Sequence, residues 1–223
     1  MPRIERIDVG EYVYHVINRA NARVTIFDNP SDYKLFEEIL EEGVNKFGMR
    51  ILAYIIMPNH WHLVLYPKNN GDLAKFMGWV SNTHTRRWHT LKKTIGQGHL
   101  YQGRYKSFLV QDNSYFLTVV RYVERNALRA KLVKKAENWK WSSAWRRLNG
   151  SIEQKKMLSK WPVSEPDDYI IWLNRSQPKE EENKIKGSII KNIPFGKESW
   201  VNKIVDKFGI GQTMRGVGRP KVK

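Results

Sequence analysis

Two histidines in the segment PNHWH, at 58–62, are spaced so that they could bind a metal ion together. The segment interrupts one apolar run and leads into another, which is typical of a turn followed by a strand. Successive side chains of a strand point to opposite faces, so His60 and His62 project from the same face. Two imidazoles at this spacing can chelate a divalent metal ion. A structural histidine pair is the alternative interpretation.

A second chemical pattern is the run YVERN at 122–126, in a segment with helical spacing. Residues one helical turn apart share a face, so Tyr122 and Asn126 point the same way. A metal ion held by His60, His62 and Asn126 would polarise a phosphate. The phenolate of Tyr122 would then attack the phosphorus atom. Because the chain has ten tyrosines, a purely structural tyrosine is the alternative here.

Apolar patterning and turn residues predict the elements that would position these side chains. Strands are predicted at 12–18, 50–57, 60–66 and 100–110, and helices at 32–47, 72–91 and 115–130. The order strand, helix, strand, strand, helix, strand, helix indicates an α+β fold. We expect an antiparallel sheet of about four to five strands, sandwiched by helices.

Composition divides the chain into two parts. Residues 1–150 carry the patterned elements and are predicted to form the catalytic domain. Residues 151–223 are polar and interrupted by prolines, so they are predicted to form an irregular helical C-terminal extension. This extension would consist of an irregular connector with short helices, one short amphipathic helix at 198–208 and a basic tail.

Charge and composition indicate which kind of partner the chain binds and exclude several kinds of chemistry. The chain has 223 residues, with 39 Lys+Arg against 22 Asp+Glu and a formal net charge of +17. Nucleic acid is the usual partner of so basic a chain. The sequence has no cysteine, which excludes disulfides, zinc–thiolate sites and cysteine nucleophiles. No stretch approaches the ~20 apolar residues of a membrane helix, so we expect a cytoplasmic protein that does not contact membranes.

The basic residues cluster in an interval without acids, between Asp72 and Asp112. The interval holds Lys75, Arg86, Arg87, Lys92, Lys93, Arg104 and Lys106, with Trp79, Trp88, Tyr101 and Tyr105 among them. Basic groups neutralise phosphates and aromatic rings stack on unpaired bases, so this interval is predicted to be the DNA track. A solvated helix face is the alternative. His84 shares the apolar face of its helix and is expected in the core.

A second interval without acids follows Asp206 and forms the C-terminal tail. Its Gly-Arg-Pro sequence at 218–220 resembles the arms that lie in A·T-rich minor grooves. We therefore expect Arg215, Arg219 and Lys221 to contact DNA.

The chemical patterns together resemble a known family. The His-hydrophobic-His motif at 60–62 is similar to the signature of single-tyrosine transposases of the insertion-sequence 200 type, and 122–126 resembles their nucleophile helix. The closer resemblance is to the branch associated with repetitive extragenic palindromes (REP), the REP-associated tyrosine transposases. Supporting stretches lie at 14–20, 103–107, 126–130, 141–143, 194–196 and 218–221. The family usually has Gly at the position of Ala20 and Pro at that of Ala127, and neither position carries the chemistry.

The resemblance implies a ferredoxin-like HUH endonuclease fold and cleavage of single-stranded DNA beside hairpins. Cleavage would leave a 5′-phosphotyrosine on Tyr122 and a free 3′-hydroxyl, and the reverse step would rejoin strands. The implied cofactor is Mg²⁺ or Mn²⁺, with His60, His62 and Asn126 as ligands. Residues expected to bind DNA are His15, Arg19, Arg86, Arg87, Arg104, Lys106, Arg215, Arg219 and Lys221.

The expected partners are therefore single-stranded and hairpin DNA, in the cytoplasm and nucleoid of a bacterium. A monomer is expected, with a dimer as the alternative. Two other functions stay open: a non-catalytic DNA-binding regulator derived from a transposase, and a metal-dependent hydrolase in which water attacks. A covalent protein–DNA adduct separates them, because only the tyrosine mechanism forms one.

Overall fold

The structure is a computed structural model, and it describes residues 6–214. Its strands are β1 (Val13–Arg19), β2 (Arg50–Met57), β3 (His60–Tyr66) and β4 (Lys106–Val110). Its helices are α1 (Pro30–Phe47), α2 (Asp72–Lys92), α3 (Ser114–Glu124), α4 (Asn126–Arg129), α5 (Ser143–Asn149), α6 (Ile152–Lys155), α7 (Tyr169–Asn174), α8 (Lys179–Lys191) and α9 (Glu198–Lys207).

The four strands form one antiparallel sheet in the order β2-β3-β1-β4. Helix α1 connects β1 to β2, and α2 connects β3 to β4, which is the βαββαβ arrangement of ferredoxin-like folds. The predicted α+β fold is therefore confirmed. The fourth strand is shorter than predicted, because residues 100–105 form a loop whose Tyr101 makes a single bridge to Ala20.

Helices α1 and α2 cover one face of the sheet. The side chains of Tyr54, Trp61 and Leu63 project into this layer and are fully buried there, together with Phe36 and Phe76 from the two helices. The other face is covered by α3, whose buried Val119 and Val120 belong to a second apolar cluster. Both faces of the sheet are therefore closed, and the fold has the expected sandwich of helices around the strands.

The turn between β2 and β3 fixes the start of the strand that carries the histidines. The carbonyl of Pro58 accepts hydrogen bonds from the backbone N–H groups of Ile26 and Phe27, at 2.9 and 3.0 Å. The carbonyl of Asn59 accepts one from the N–H of Ala20, at 2.9 Å. Because the segment after β1 holds this turn, the residue that follows it, His60, begins β3 in a defined position.

The predicted helix over 115–130 is wrong in its extent. It is interrupted at Arg125, where α3 ends, and Asn126 begins the separate short helix α4. The Arg125 guanidinium donates a hydrogen bond of 2.6 Å to the carbonyl of Leu173, in α7. Such long-range contacts override the local helical preference of the sequence, which contains no glycine or proline at this point.

The described part of the C-terminal extension consists of short helices and connecting segments, and it packs on the sheet. The indole N–H of Trp161 donates to the carbonyl of Leu52, and the backbone of Phe195 pairs with Leu109 and Gln111 beside β4. Helix α8 packs against α3 and β4. The division at residue 150 stays a prediction. No helix within 6–214 has the length and apolarity to cross a membrane.

Candidate active site

His60 and His62 lie on the face of β3 that α3 covers, and their ring centroids are 5.2 Å apart. Across the sheet they pair with Arg19 and Ile17 of β1. His62 is 2% exposed, whereas His60, at the end of the strand, is only partly buried. The strand geometry thus brings the two imidazoles together as the alternation of side chains predicts.

His15 lies directly beside His62, and its Nε2 is 2.8 Å from Nδ1 of His62. If the shared proton is on His62 Nδ1, the Nε2 lone pair of His62 is free to bind a metal ion. If it is on His15 Nε2, the neutral His62 carries its proton on Nε2 and cannot bind one. His15 is fully buried, so the structure places it beneath the pair rather than on a DNA-facing surface.

His60 is oriented in a similar way by Asn59, whose side-chain oxygen is 2.7 Å from Nδ1 of the ring. When Nδ1–H of His60 donates to this oxygen, the lone pair of Nε2 is available to bind a metal ion. A carbonyl or imidazole bonded to the far nitrogen of a ligating histidine is the usual means of fixing its orientation. When each ring carries its proton on Nδ1, both rings of the pair have the second contact that orients a ligating histidine.

All three imidazoles are held in the neutral form. Burial lowers the pKa of His15 to about 3 and that of His60 to about 4, and it lowers the pKa of His62 well below its usual value. The charges of Arg19 and Arg129 lower the pKa of His60 further. Neutral imidazole is the form that donates a lone pair to a metal ion.

The donor set fits a divalent metal ion. Within residues 6–214, Nε2 of His60 and of His62 makes no hydrogen bond to the protein. Asn126, 8% exposed, could add an amide oxygen, and the remaining coordination positions would be left for solvent and phosphate oxygens, which Mg²⁺ and Mn²⁺ prefer. The described residues contain no group of three or more His, Asp or Glu side chains arranged around one metal position.

Tyr122 lies on α3 with its ring perpendicular to that of His62, and the ring centroids are 6.0 Å apart. It is 5% exposed. Burial raises the pKa of its hydroxyl, the charge of Arg129 lowers it, and that of Glu182 in α8 raises it. The fold thus brings together the predicted nucleophile and the predicted metal-binding pair from segments 60 residues apart in the sequence.

Asn126 is not part of the helix that carries Tyr122. It begins α4, which packs against β2 next to the strand of the histidines. Its predicted role as the third ligand stays a prediction.

Arg129 was missed by the sequence analysis. Its guanidinium lies over the Tyr122 ring, 4.0 Å from the centroid, and its Nη1 donates a hydrogen bond of 3.2 Å to the Tyr122 carbonyl. The sequence signal that could have indicated this contact is the spacing of seven residues between Tyr122 and Arg129, which is about two helical turns. The interruption of the helix at Arg125 made that spacing an unreliable guide.

Glu124 is the last residue of α3. It is fully buried and accepts hydrogen bonds from Ser143, at 2.6 Å, and Tyr169, at 2.7 Å. Ser143 also bonds the backbone of Tyr54 in β2. This network anchors the end of α3 to the sheet, directly after Tyr122 in the chain.

The cationic residues predicted to bind DNA fall into two groups. Arg19, Arg104 and Lys106 line one cavity beside the histidine pair. Arg86 and Arg87 instead line a groove between α1 and α2, on the opposite face of the sheet, and Arg87 forms an ion pair with Glu42 at 2.6 Å. The predicted contacts Arg215, Arg219 and Lys221 lie outside the described residues.

The aromatic residues of the predicted DNA track differ in burial: two are core residues and two are partly buried. Tyr101 and Tyr105 are each only 7% exposed, and Trp79 and Trp88 pack against the core on the side of α1 and α2. The hydroxyl of Tyr101 contacts Nδ1 of the buried His84, at 2.6 Å, which confirms the expected core position of this histidine. The rings of Tyr101 and Tyr105 are therefore closed to stacking bases, whereas Trp79 lines the groove of Arg86 and Arg87, where a stacking role stays a prediction.

Comparisons with known proteins agree with this geometry. The family model described as "Transposase IS200 like" matches residues 8–126. A structure of a REP-associated tyrosine transposase bound to a REP hairpin is similar, with a TM-score of 0.57 and 14% identity over 74% of this chain and 92% of that chain. A transposase candidate from Deinococcus radiodurans R1 gives a TM-score of 0.40 and 20% identity over 56% of this chain and 97% of that chain. No curated protein matched.

These findings differ in what they support. The likeness to the REP-associated transposase shows a shared fold, and the TM-score of the second structure is too low to support an argument. The family model covers just over half of the chain and includes the histidine pair of β3, Tyr122 and Asn126. The chain belongs to the IS200-like transposase family.

Proposed function

We propose that this transposase cleaves and rejoins single-stranded DNA next to REP-like hairpins, through a 5′-phosphotyrosine on Tyr122 and with Mg²⁺ or Mn²⁺ as cofactor. The observation that carries the proposal is the position of the Tyr122 ring, 6.0 Å from that of His62. A structural tyrosine could pack anywhere in the core, but a nucleophile must lie beside the group that binds the scissile phosphate.

In the proposed reaction, the hydroxyl oxygen of Tyr122 forms a bond to phosphorus while the bond from phosphorus to the 3′-oxygen breaks. The departing 3′-oxygen takes up a proton, and the hydroxyl of Tyr122 loses one, so protons and electrons balance. Arg129 favours the phenolate, because its positive charge counteracts part of the rise in the pKa of Tyr122 that burial causes. The reverse reaction with another 3′-hydroxyl joins strands.

The divalent ion would be held by His60, His62 and Asn126 and would stabilise the negative charge that develops on the phosphate. His15 and Asn59 orient the two imidazoles through their Nδ1 atoms. Burial keeps the rings neutral.

Arg19, Arg104 and Lys106 are proposed to bind phosphates of the strand near the cut. Arg19 is the cross-strand neighbour of His60, which places its charge at the edge of the predicted metal site. Each phosphate contact makes binding weaker at higher salt, so these residues are expected to set part of the salt dependence. Arg86 and Arg87 are proposed to contact DNA outside the site, on the other face of the sheet.

A REP-type hairpin is the proposed target because the structurally similar REP-associated transposase is bound to one. We further propose that the protein acts as a monomer in the bacterial cytoplasm. The hydrogen bonds that join Glu124, Ser143 and the backbone of Tyr54 support the monomer, because they hold α3, which carries Tyr122, on the sheet of its own chain.

The decisive experiment is incubation with end-labelled hairpin DNA with single-stranded flanks and Mn²⁺, followed by denaturing electrophoresis. We expect cut DNA and a covalent protein–DNA adduct, both absent with EDTA and in Tyr122→Phe. Cut DNA without an adduct, and unchanged in Tyr122→Phe, would instead support a hydrolase. Tight binding without any cutting would support a non-catalytic regulator.

A further inference from the structure

A cavity of about 400 Å³ lies next to the candidate active site. Its walls come from three parts of the fold: the end of β1, the segment that leads into β4, and helix α8 of the C-terminal extension. The residues that matter for the argument are Ile17, Arg19, Arg104, Lys106, Ile189 and Ile190. The volume is within the range of small-ligand pockets, about 300–1,000 Å³, and is far too small for a duplex.

The floor of the cavity is continuous with the histidine pair. Ile17 is the cross-strand partner of His62 on one side and of Lys106 on the other, and Arg19 is the partner of His60. A group bound in the cavity would therefore lie next to a phosphate bound at the histidines.

The walls of the cavity differ in chemistry. Arg19, Arg104 and Lys106 supply positive charge, and no acidic residue is among the described residues that line it. Ile17, Ile189 and Ile190 supply an apolar surface. A nucleotide would match both walls, because its anionic phosphate suits the basic wall and the apolar faces of its base suit the isoleucines.

Helix α8 is firmly held in the position that forms the apolar wall. Ile185 is fully buried in the core under α3, and Gln177, just before the helix, donates to the carbonyl of Thr118 at 3.1 Å. Ile189 packs against the same core, whereas Ile190 is 62% exposed. Ile190 is thus an exposed apolar side chain on the wall of a basic cavity, on a helix whose other exposed residues are mostly charged.

We propose that α8 forms the apolar wall of a pocket that receives one unpaired nucleobase, next to the phosphate that is cut. The inference rests on the proposed function, but it assigns a role to a part of the chain beyond residue 126, where the family-model match ends. Ile190 contacts one face of the base, and Arg19, Arg104 and Lys106 bind the phosphate backbone of the same strand. The extension thus takes part in recognising the strand.

The test combines a protein variant with a modified substrate. A single abasic site is moved, one position at a time, through the flanks of a hairpin oligonucleotide, and cleavage rates are measured for the wild type and for Ile190→Ala. For the wild type we expect a drop of roughly 10-fold at one position near the cut. Ile190→Ala should cut the intact oligonucleotide more slowly and show a much smaller further drop at that position.

Ile171→Ala is the matched control, because Ile171 is an isoleucine of α7 that is 53% exposed and does not line the cavity. It should show the same position dependence as the wild type. Equal abasic penalties in the wild type and Ile190→Ala at every position would overturn the proposal.

Equilibrium binding of the same oligonucleotides is also measured in the Tyr122→Phe background, with and without Ile190→Ala. Because Tyr122→Phe is not expected to cut, this measurement separates binding of the base from cleavage. If the wild type cuts no oligonucleotide, the proposed function fails, but coupling between the abasic position and Ile190→Ala in binding still supports the pocket. Absence of that coupling in binding overturns it.

Discussion

The two faces of the sheet are both buried, but they are buried by different kinds of side chain. The face under α1 and α2 is packed with large apolar groups such as Tyr54, Trp61 and Phe76. The face under α3 mixes aliphatic residues with buried polar ones, above all His15 and His62. Buried polar groups stabilise a core less than apolar groups of the same size. The contact between the buried imidazoles of His15 and His62 distinguishes the α3 face, which carries the proposed site.

Burial alone would not have distinguished the faces, as the histidines illustrate. Burial also lowers the pKa of His84, on the apolar face, to about 3. His84 is stacked on Phe27 at 5.3 Å and bonded to Tyr101, in the layer under α1 and α2. His62 differs because a second and a third imidazole and a tyrosine surround it. The comparison shows that a shifted pKa becomes evidence of function only with convergent partners.

The largest expected effect on the α3 face is that of Tyr122→Phe. This change removes only the nucleophilic oxygen, so we expect the cleavage rate to fall by roughly 10³-fold or more while DNA affinity stays the same. Cleavage is measured on labelled hairpin DNA, and affinity by fluorescence anisotropy. Tyr115→Phe is the matched control: Tyr115 lies earlier on α3 and packs against Phe195, with 5.4 Å between ring centroids. Normal cutting by Tyr122→Phe would contradict the assignment.

The next largest effect is expected for His60→Ala and His62→Ala. Each removes a proposed metal ligand, so metal-dependent cleavage should fall by about 100-fold or more without unfolding the protein. A Mn²⁺ soak should show anomalous density between His60, His62 and Asn126. If the pair is structural, both variants will lose thermal stability and cleavage will not depend on the metal concentration.

A smaller effect is expected for His15, which orients His62 without touching the metal. His15→Phe fills the space but removes the hydrogen-bond partner, so we expect the apparent affinity for Mn²⁺ to fall by about 10- to 100-fold. His15→Gln should restore part of it, because its amide oxygen can accept the proton of His62 Nδ1. Mn²⁺ titration of the cleavage rate measures both. Equal Mn²⁺ affinities in His15→Phe and the wild type would exclude the positioning role.

Arg129 is expected to have a still smaller effect, because it acts on Tyr122 through the face of the ring. Arg129→Gln removes the cation, so we expect cleavage to slow by about 10-fold at saturating DNA and metal. Arg129→Lys should retain part of the rate. A change in DNA affinity alone, with an unchanged rate at saturation, would assign Arg129 to strand binding instead.

On the apolar face, His84→Ala should have almost no effect on cleavage. It leaves a cavity beside Phe27 and removes the partner of the Tyr101 hydroxyl, so we expect the free energy of unfolding to fall by about 2 kcal/mol. Denaturant unfolding measures the loss of stability. The cleavage rate is measured at denaturant concentrations below the unfolding transition. A large loss of cleavage in folded His84→Ala would remove the distinction between the two faces.

The sequence by itself determined the candidate residues of the site and most of the sheet. Alternation along β3 places His60 and His62 on one side regardless of what packs there, because the period of a strand is two residues. The order of strands and helices predicted the α+β fold, because apolar patterning is local and the sequence records it directly. The ferredoxin-like topology was implied by the family resemblance, and the sheet order confirms it.

The tertiary structure decided which groups meet. The approach of Tyr122 to His62, the position of His15 beneath it and the cover by α8 all join segments that are distant in the chain. The helix break at Arg125 is accompanied by a long-range hydrogen bond to α7, so helical periodicity alone put Asn126 on the wrong helix. Similarly, the basic interval was split between two faces of the sheet, because a run of charge carries no information about how its helix and loop will pack.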